Sequence, residues 1–117
     1  MVPPKYKFYI GKSFADIQQM IETGIDDNGQ FTDEADKRTY LCVNPSLVVS
    51  PIFIGLQSID RYNSIFFYDA KDAVISYTSL AKYDSQVIIP PRNTKWWAIR
   101  FTLSDPNFLL KKDTTFI

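Results

Sequence analysis

The chain has 117 residues, of which 45% are hydrophobic and 22% are charged, and its 13 basic residues balance 13 acidic ones. This length suits one ordinary domain, and the composition excludes a disordered tail or a low-complexity linker as a description of the whole chain. The zero formal net charge also excludes a strong long-range attraction of the whole molecule to nucleic acid or to an anionic membrane.

The first predicted elements are a strand and a helix. Tyr6, Phe8 and Ile10 alternate with more polar neighbours, which is the period expected of a half-buried strand. Ser13 is a favourable helix N-cap, and Gly24 is a natural helix stop. The residues between them place four apolar side chains on one helical face: Phe14, Ile17, Met20 and Ile21.

The rest of the chain is typical of short strands joined by turns. Asn28-Gly29 predicts a tight turn, and Thr32–Ala35 predicts a short helical turn. The Asp69–Asp72 segment predicts a hairpin loop. Six β-prone segments follow the polar region 26–38: Thr39–Val43, Leu47–Ile54 with an interruption at Pro51, Ser64–Tyr68, Ala73–Tyr77, Gln86–Ile89 and Lys95–Leu103.

This pattern predicts an α+β fold, in which one N-terminal amphipathic helix packs on a mainly antiparallel sheet or small barrel of about six strands. Residues 1–106 would form a single globular domain, and residues 107–117 a C-terminal arm. In Lys95–Leu103, Trp97 shares a face with Ile99 and Phe101, whereas Trp96 points the other way. We therefore expect Trp97 in the core, and expect Trp96 either on an interface or beneath a second layer.

The residue types exclude several kinds of catalytic and metal sites. The chain has no histidine, so His-based triads and His-based acid–base catalysis are impossible. Cys42 is the only cysteine, so the chain can form neither an internal disulfide nor a Cys/His zinc site; it lies in an apolar strand and is expected to be buried. The four glycines are isolated and form no phosphate loop. We expect no enzyme activity, no cofactor and no metal.

One segment resembles a known fold family. Tyr9-Ile10-Gly11-Lys12-Ser13, leading into a helix that ends at Gly24-Ile25, is similar to the opening of ADP-ribosyltransferase-like folds, and Tyr77-Thr78-Ser79 could match their middle motif. Ile10 stands where that family has its NAD-binding side chain. The family also relies on a late Glu, whereas both Glu of this chain lie in its first third. The resemblance implies an inactive, nucleotide-binding relative, which is the alternative function.

The main functional prediction is a non-enzymatic binding or structural subunit that acts through protein–protein contacts, such as a component of a phage or viral particle or a small inhibitor of a host protein. Six acidic residues and no basic ones lie between Glu22 and Asp36, whereas six basic and three acidic residues follow from Lys82 onward. Such segregated charge could set the register between copies, or the two regions could face each other within one molecule. The predicted contact residues are Asp26, Asp27, Asp33, Glu34, Asp36, Arg92, Lys95, Trp96, Arg100, Phe108, Leu109, Leu110, Phe116 and Ile117.

The expected partner is another protein or a copy of the same chain. Trp96 with its basic neighbours could instead stack a base of single-stranded nucleic acid, but the zero net charge disfavours that partner. No apolar run is long enough to span a membrane as a helix, and the first residues lack the apolar core of a signal peptide. A chain whose single cysteine, Cys42, cannot form an internal disulfide suits a reducing compartment. The predicted location is therefore the cytoplasm, or a phage or virus particle.

Overall fold

The structure is a computed structural model that describes residues 22–43, 45, 48–54, 60–81, 86–104 and 114–116. The described residues are all-β and contain no helix, so the predicted α+β class is wrong for this part of the chain. Residues 1–21, with the predicted first strand and most of the predicted helix, lie outside the description. The strands are β1 Gly24–Ile25, β2 Phe31–Thr32, β3 Lys37–Cys42, β4 Ile52–Ile54, β5 Ser64–Tyr68, β6 Val74–Ser79, β7 Gln86–Ile88, β8 Trp96–Thr102 and β9 Thr114–Phe116.

The strands form three antiparallel sheets. The largest has the order β3-β8-β5-β6, the second has the order β7-β4-β9, and β1 with β2 forms a separate hairpin. In the four-stranded sheet, Arg100 of β8 lies opposite Thr39 of β3 and Ser64 of β5, and Ser64 in turn lies opposite Ser79 of β6. Directly opposite residues share a face, so one row of side chains crosses the whole sheet at Arg100.

The alternation of residues along the chain explains most of these strands. The predicted strand Ser64–Tyr68 is confirmed as β5, and Lys95–Leu103 is found slightly shortened as β8. The hairpin loop between β5 and β6 is also confirmed, because the Asp69 carboxylate accepts hydrogen bonds from the backbone N–H groups of Lys71 and Ala73. Pro51 has no N–H to donate, and β4 begins only after it, at Ile52.

One face of the four-stranded sheet carries the first core. Trp97, Ile99 and Phe101 of β8 are each at most 1% exposed on this face, which confirms the prediction for Trp97. Cys42 is buried beside them, as expected. The first core also draws residues from the other strands and loops: Tyr40, Val48, Ile52, Ile65, Phe67, Leu80 and Ile88.

The opposite face carries a second core beneath the β1–β2 hairpin. Trp96 stacks on Tyr68 with 3.8 Å between ring centroids and 4° between ring planes, and Phe31 of β2 meets the indole edge-on. The Trp96 Nε1–H donates to the Asp72 carboxylate at 3.0 Å. Leu41, Phe66, Ala98 and Ile25 complete this core. The described domain therefore has two apolar layers, one on each side of the sheet.

The hairpin turn is fixed by Asp26 and Gly29. The Asp26 Oδ1 accepts hydrogen bonds from the backbone N–H groups of Asn28 and Gln30, and Gly29 adopts a φ of 81° that disfavours residues with a side chain. The predicted Asn28-Gly29 turn is confirmed. Tyr68 then joins the turn to the sheet, because its hydroxyl donates to the Gly29 carbonyl at 3.0 Å.

The Tyr68 hydroxyl should make folding sensitive to alkaline pH. Burial raises the pKa of Tyr68 well above its ordinary value, and Arg100 opposes this rise only in part. The side chain of an unfolded tyrosine ionises at about pH 10. Above that pH, ionisation stabilises the unfolded state, whereas folded Tyr68 stays protonated. The contribution of Tyr68 to the free energy of unfolding should therefore be fully present below about pH 10 and should be lost as the pH rises further.

Tyr68→Phe tests this dependence. The variant should lose about 1 kcal/mol at neutral pH, because the bond to Gly29 is absent, but its stability should decline less steeply above pH ~10. Urea unfolding at a series of pH values measures both effects, and absorbance at the tyrosinate band reports ionisation. Equal slopes for the two proteins would contradict the assignment.

Candidate binding cleft and sheet edge

Arg100 is a buried cation at the centre of the hairpin-covered face. The residue is 4% exposed, and its guanidinium makes three hydrogen bonds. Nε donates to the Tyr62 carbonyl at 2.6 Å, Nη1 donates to the Ile25 carbonyl at 2.8 Å, and Nη2 donates to the Asp27 carboxylate at 3.1 Å. These bonds join β8, the loop before β5 and the β1–β2 hairpin at a single side chain.

Aromatic rings enclose the same guanidinium. Its central carbon lies 4.3 Å from the centroid of the Tyr62 ring and 4.8 Å from that of Phe66, which are favourable cation–π distances. The Tyr62 hydroxyl accepts a hydrogen bond from the Ile25 N–H at 2.8 Å. Burial raises the pKa of Tyr62, although the Ile25 bond and the nearby charge of Arg100 act in the opposite direction. Both backbone groups of Ile25 are therefore bonded to side chains of the sheet and its loop.

An open cleft of about 450 Å³ lies between the hairpin and β6. Arg100, Ser64 and Ser79 form one row of its floor, and Tyr77 stands beside this row. The Tyr77 ring is 59% exposed and stacks on Phe66 with 5.2 Å between centroids. Asp27, Arg61 and Ala81 complete the lining from the hairpin and from the loops.

Strand β6 is an exposed edge of the four-stranded sheet. Within the described part of the chain, β6 pairs only with β5, and five of its six residues are exposed. Its sequence, Val-Ile-Ser-Tyr-Thr-Ser, contains no charged residue and no proline. Val74 and Ile75 are 36% and 37% exposed, so the strand presents apolar side chains as well as backbone groups to solvent.

The predicted acidic contact residues lie on and after the β1–β2 hairpin. Asp27 binds Arg100, so the acidic and basic regions of the sequence meet here within one molecule. Asp26 fixes the hairpin turn, Glu34 accepts a hydrogen bond from the Thr32 hydroxyl at 2.5 Å, and Asp36 pairs with Lys37 at 3.2 Å. Asp33 is exposed. Contact of these residues with a partner stays a prediction.

The predicted basic and aromatic contact residues are divided between surface and interior. Arg92 and Lys95 are exposed in the turn before β8, whereas Trp96 and Arg100 are buried beneath the hairpin at 6% and 4% exposure. The structure thus has the second layer over Trp96 that the sequence left as an alternative. The four residues do not form one surface.

The predicted contact residues of the C-terminal arm lie mostly outside the description. Phe108, Leu109, Leu110 and Ile117 are not among the described residues. Phe116 belongs to β9, whose backbone pairs with β4 opposite Ile52. The Tyr9–Ser13 segment, on which the ADP-ribosyltransferase-like resemblance depends, also lies outside the described residues.

Sequence reasoning found neither the cleft nor the position of β6 as an exposed edge strand. Arg61, Ser64, Ser79 and Tyr77 come from separate segments, and only the register of the sheet brings them together. The sequence did contain a signal for the edge strand. The 74–79 segment carries no charged residue, and its polar and apolar residues do not alternate strictly.

Comparisons with family models, with curated proteins and with solved structures find no match to this chain. Among the described residues there is no cluster of three or more side chains suited to hold a metal ion. The same residues include no helix that is long and apolar enough to cross a membrane. The cleft and the β6 edge are therefore the features of the described residues that bear on function.

Replacing Arg100 with lysine should strongly destabilise the fold. A lysine ammonium cannot reproduce the planar fork that reaches Tyr62, Ile25 and Asp27, and it would remain a buried charge with fewer partners. We expect Arg100→Lys to lower the free energy of unfolding by about 3 kcal/mol. Chemical denaturation measures the loss, and hydrogen exchange should show earlier opening of the Ile25 amide.

Arg92→Lys is the matched control for this substitution. Arg92 is exposed in the turn before β8, so the same chemical change should alter stability by less than about 0.5 kcal/mol. Equal stability of Arg100→Lys and the wild-type protein would show that the guanidinium fork does not hold the hairpin.

Proposed function

We propose that this protein is a non-enzymatic structural or binding subunit that associates with a second copy of itself through the edge strand β6. The observation that carries this proposal is the exposed, uncharged and proline-free β6 edge. Pairing of two such edges would extend the four-stranded sheet across both copies. As the single cysteine, Cys42 allows no disulfide within the chain, which suits assembly in a reducing compartment, either the cytoplasm or a particle formed there.

Unprotected sheet edges favour pairing for a physical reason. An edge strand presents a row of backbone N–H and C=O groups that another strand can satisfy, and soluble proteins commonly block this with charged residues, proline or a very short edge. Strand β6 has six residues and none of these blocking residues. Its Val, Ile, Tyr and Thr residues are also types that favour strands.

A second copy suits this edge better than a charged partner does. Antiparallel pairing of two β6 strands centred on Ser76 or on Tyr77 brings only uncharged side chains into cross-strand contact. The formal net charge of zero also means that two copies do not repel each other at long range. Pairing would also remove apolar surface of the exposed residues Val74, Ile75 and Tyr77 from solvent.

Ser76→Lys tests the proposal. In either register the two Ser76 side chains are direct or diagonal neighbours, so two lysines would repel each other and hydrate the edge. We expect the variant to weaken self-association by about tenfold or more, as measured by sedimentation or light scattering over a concentration series. Ser76 is exposed, so the circular dichroism spectrum and the melting temperature should stay close to those of the wild-type protein.

Two controls make this test specific to β6. Val87→Lys places the same charge on an exposed residue of β7, an edge strand of the three-stranded sheet, and should leave association unchanged. Mixing Ser76→Lys with Ser76→Glu should restore association, because opposite charges then face each other. A wild-type protein that is monomeric at high concentration, or a Val87→Lys effect equal to that of Ser76→Lys, would refute pairing through β6.

A further inference from the structure

We infer that the cleft between the hairpin and β6 is a binding site for a phosphate group. This inference does not depend on the proposed association, because it uses the floor of the cleft and not the backbone of the sheet edge. The lining combines two guanidinium groups, those of Arg61 and Arg100, with the hydroxyl groups of Ser64, Ser79 and Tyr77. Such a donor-rich lining matches the many acceptor sites of a tetrahedral oxyanion.

Arg61 supplies the available positive charge. Its side chain is exposed at the rim, and no carboxylate within the described residues lies at ion-pair distance from it. A guanidinium presents five N–H donors in a planar fork and binds phosphate in two-point fashion. Arg61 can therefore turn toward an anion in the cleft without giving up a bond that holds the fold.

Arg100 and Ser64 supply fixed donors on the floor. The three hydrogen bonds of Arg100 use three of the five N–H groups of a guanidinium, so two remain on its terminal nitrogens. Ser64 lies directly opposite Arg100, is 1% exposed and lines the floor of the cleft beside the guanidinium. The sheet register holds both groups in place, so an anion would meet donors that are already ordered.

Ser79 extends this row to β6. Its hydroxyl oxygen accepts a hydrogen bond from the Ala81 N–H at 3.2 Å, which leaves the hydroxyl proton free to donate into the cleft. Tyr77, held by its stack on Phe66, presents an exposed ring beside the same row. A small phosphorylated compound could therefore place its phosphate on the floor and its apolar part against Tyr77.

Asp27 is the one anion in the lining, and it competes for Arg100. Its carboxylate binds Nη2 at 3.1 Å, yet the Asp27 side chain is 95% exposed, so an incoming phosphate can displace it into water. The lining carries a formal charge of +1 with Asp27 present and +2 without it, from two arginines and one aspartate. Removing the Asp27 charge should therefore strengthen phosphate binding.

Titration with inorganic phosphate, followed by the amide resonances of Ser79 and Ala81, tests the site. The wild-type protein should show saturable shifts, and sodium chloride at matched ionic strength should not reproduce them. Arg61→Gln should weaken binding by about tenfold, whereas Asp27→Asn should tighten it by about tenfold. Arg92→Gln removes an exposed arginine from the turn before β8 and should change nothing.

The competing outcomes separate a built site from general attraction of anions. Equal losses in Arg61→Gln and Arg92→Gln, or shifts that chloride reproduces, would show screening only and would overturn the inference. Weaker binding by Asp27→Asn would also overturn it, because the carboxylate would then support the site and not compete for it. All three variants alter exposed side chains, and a cooperative melting transition in each would confirm that they fold.

Discussion

The burial of Arg100 is the constraint on which the second layer of the structure depends. A guanidinium cannot lose its hydration without partners, and this one receives two backbone carbonyls, one carboxylate and two aromatic rings. Two of those partners, Ile25 and Asp27, belong to the hairpin region. The charge therefore holds a short hairpin, whose two-residue strands offer little pairing of their own, against the sheet.

The same arrangement explains why the sheet is covered unevenly. The hairpin covers the apolar residues of β3, β8 and β5 around Trp96. The hydrogen bonds between the hairpin and the sheet end at the row that contains Arg100 and Ser64. Beyond that row, β6 pairs with β5, Tyr77 stacks on Phe66, and Val74 lies close to Gly29 of the hairpin turn. The cleft is the step between the covered and uncovered parts of one face, and the β6 edge is its outer boundary.

The sequence allowed a good part of the sheet to be predicted, for reasons that are visible in particular residues. Period-two alternation located β8 and placed Trp97 in a core, and the turn-forming residues located the loop between β5 and β6. Sequence reasoning found the Asn28-Gly29 turn but not the two short strands that it joins, because Ile25 and Phe31 are isolated apolar residues in an acidic segment. It also missed the cleft, since strand order and register, which single-strand patterns do not encode, bring Arg100, Ser64 and Ser79 into one row.

The location of the charges decides which surfaces remain for contact. Sequence alone allowed the acidic and basic regions to serve head-to-tail assembly, but the Asp27–Arg100 pair and the Arg38–Glu22 pair at 3.8 Å use part of that charge within one molecule. An ion pair already made inside the chain adds little to association, because a partner would have to break it first. Pairing through the uncharged β6 edge does not require side chains of that strand to give up an ion pair. Backbone pairing at that edge, and not charge segregation, is therefore the basis of the self-association that we propose.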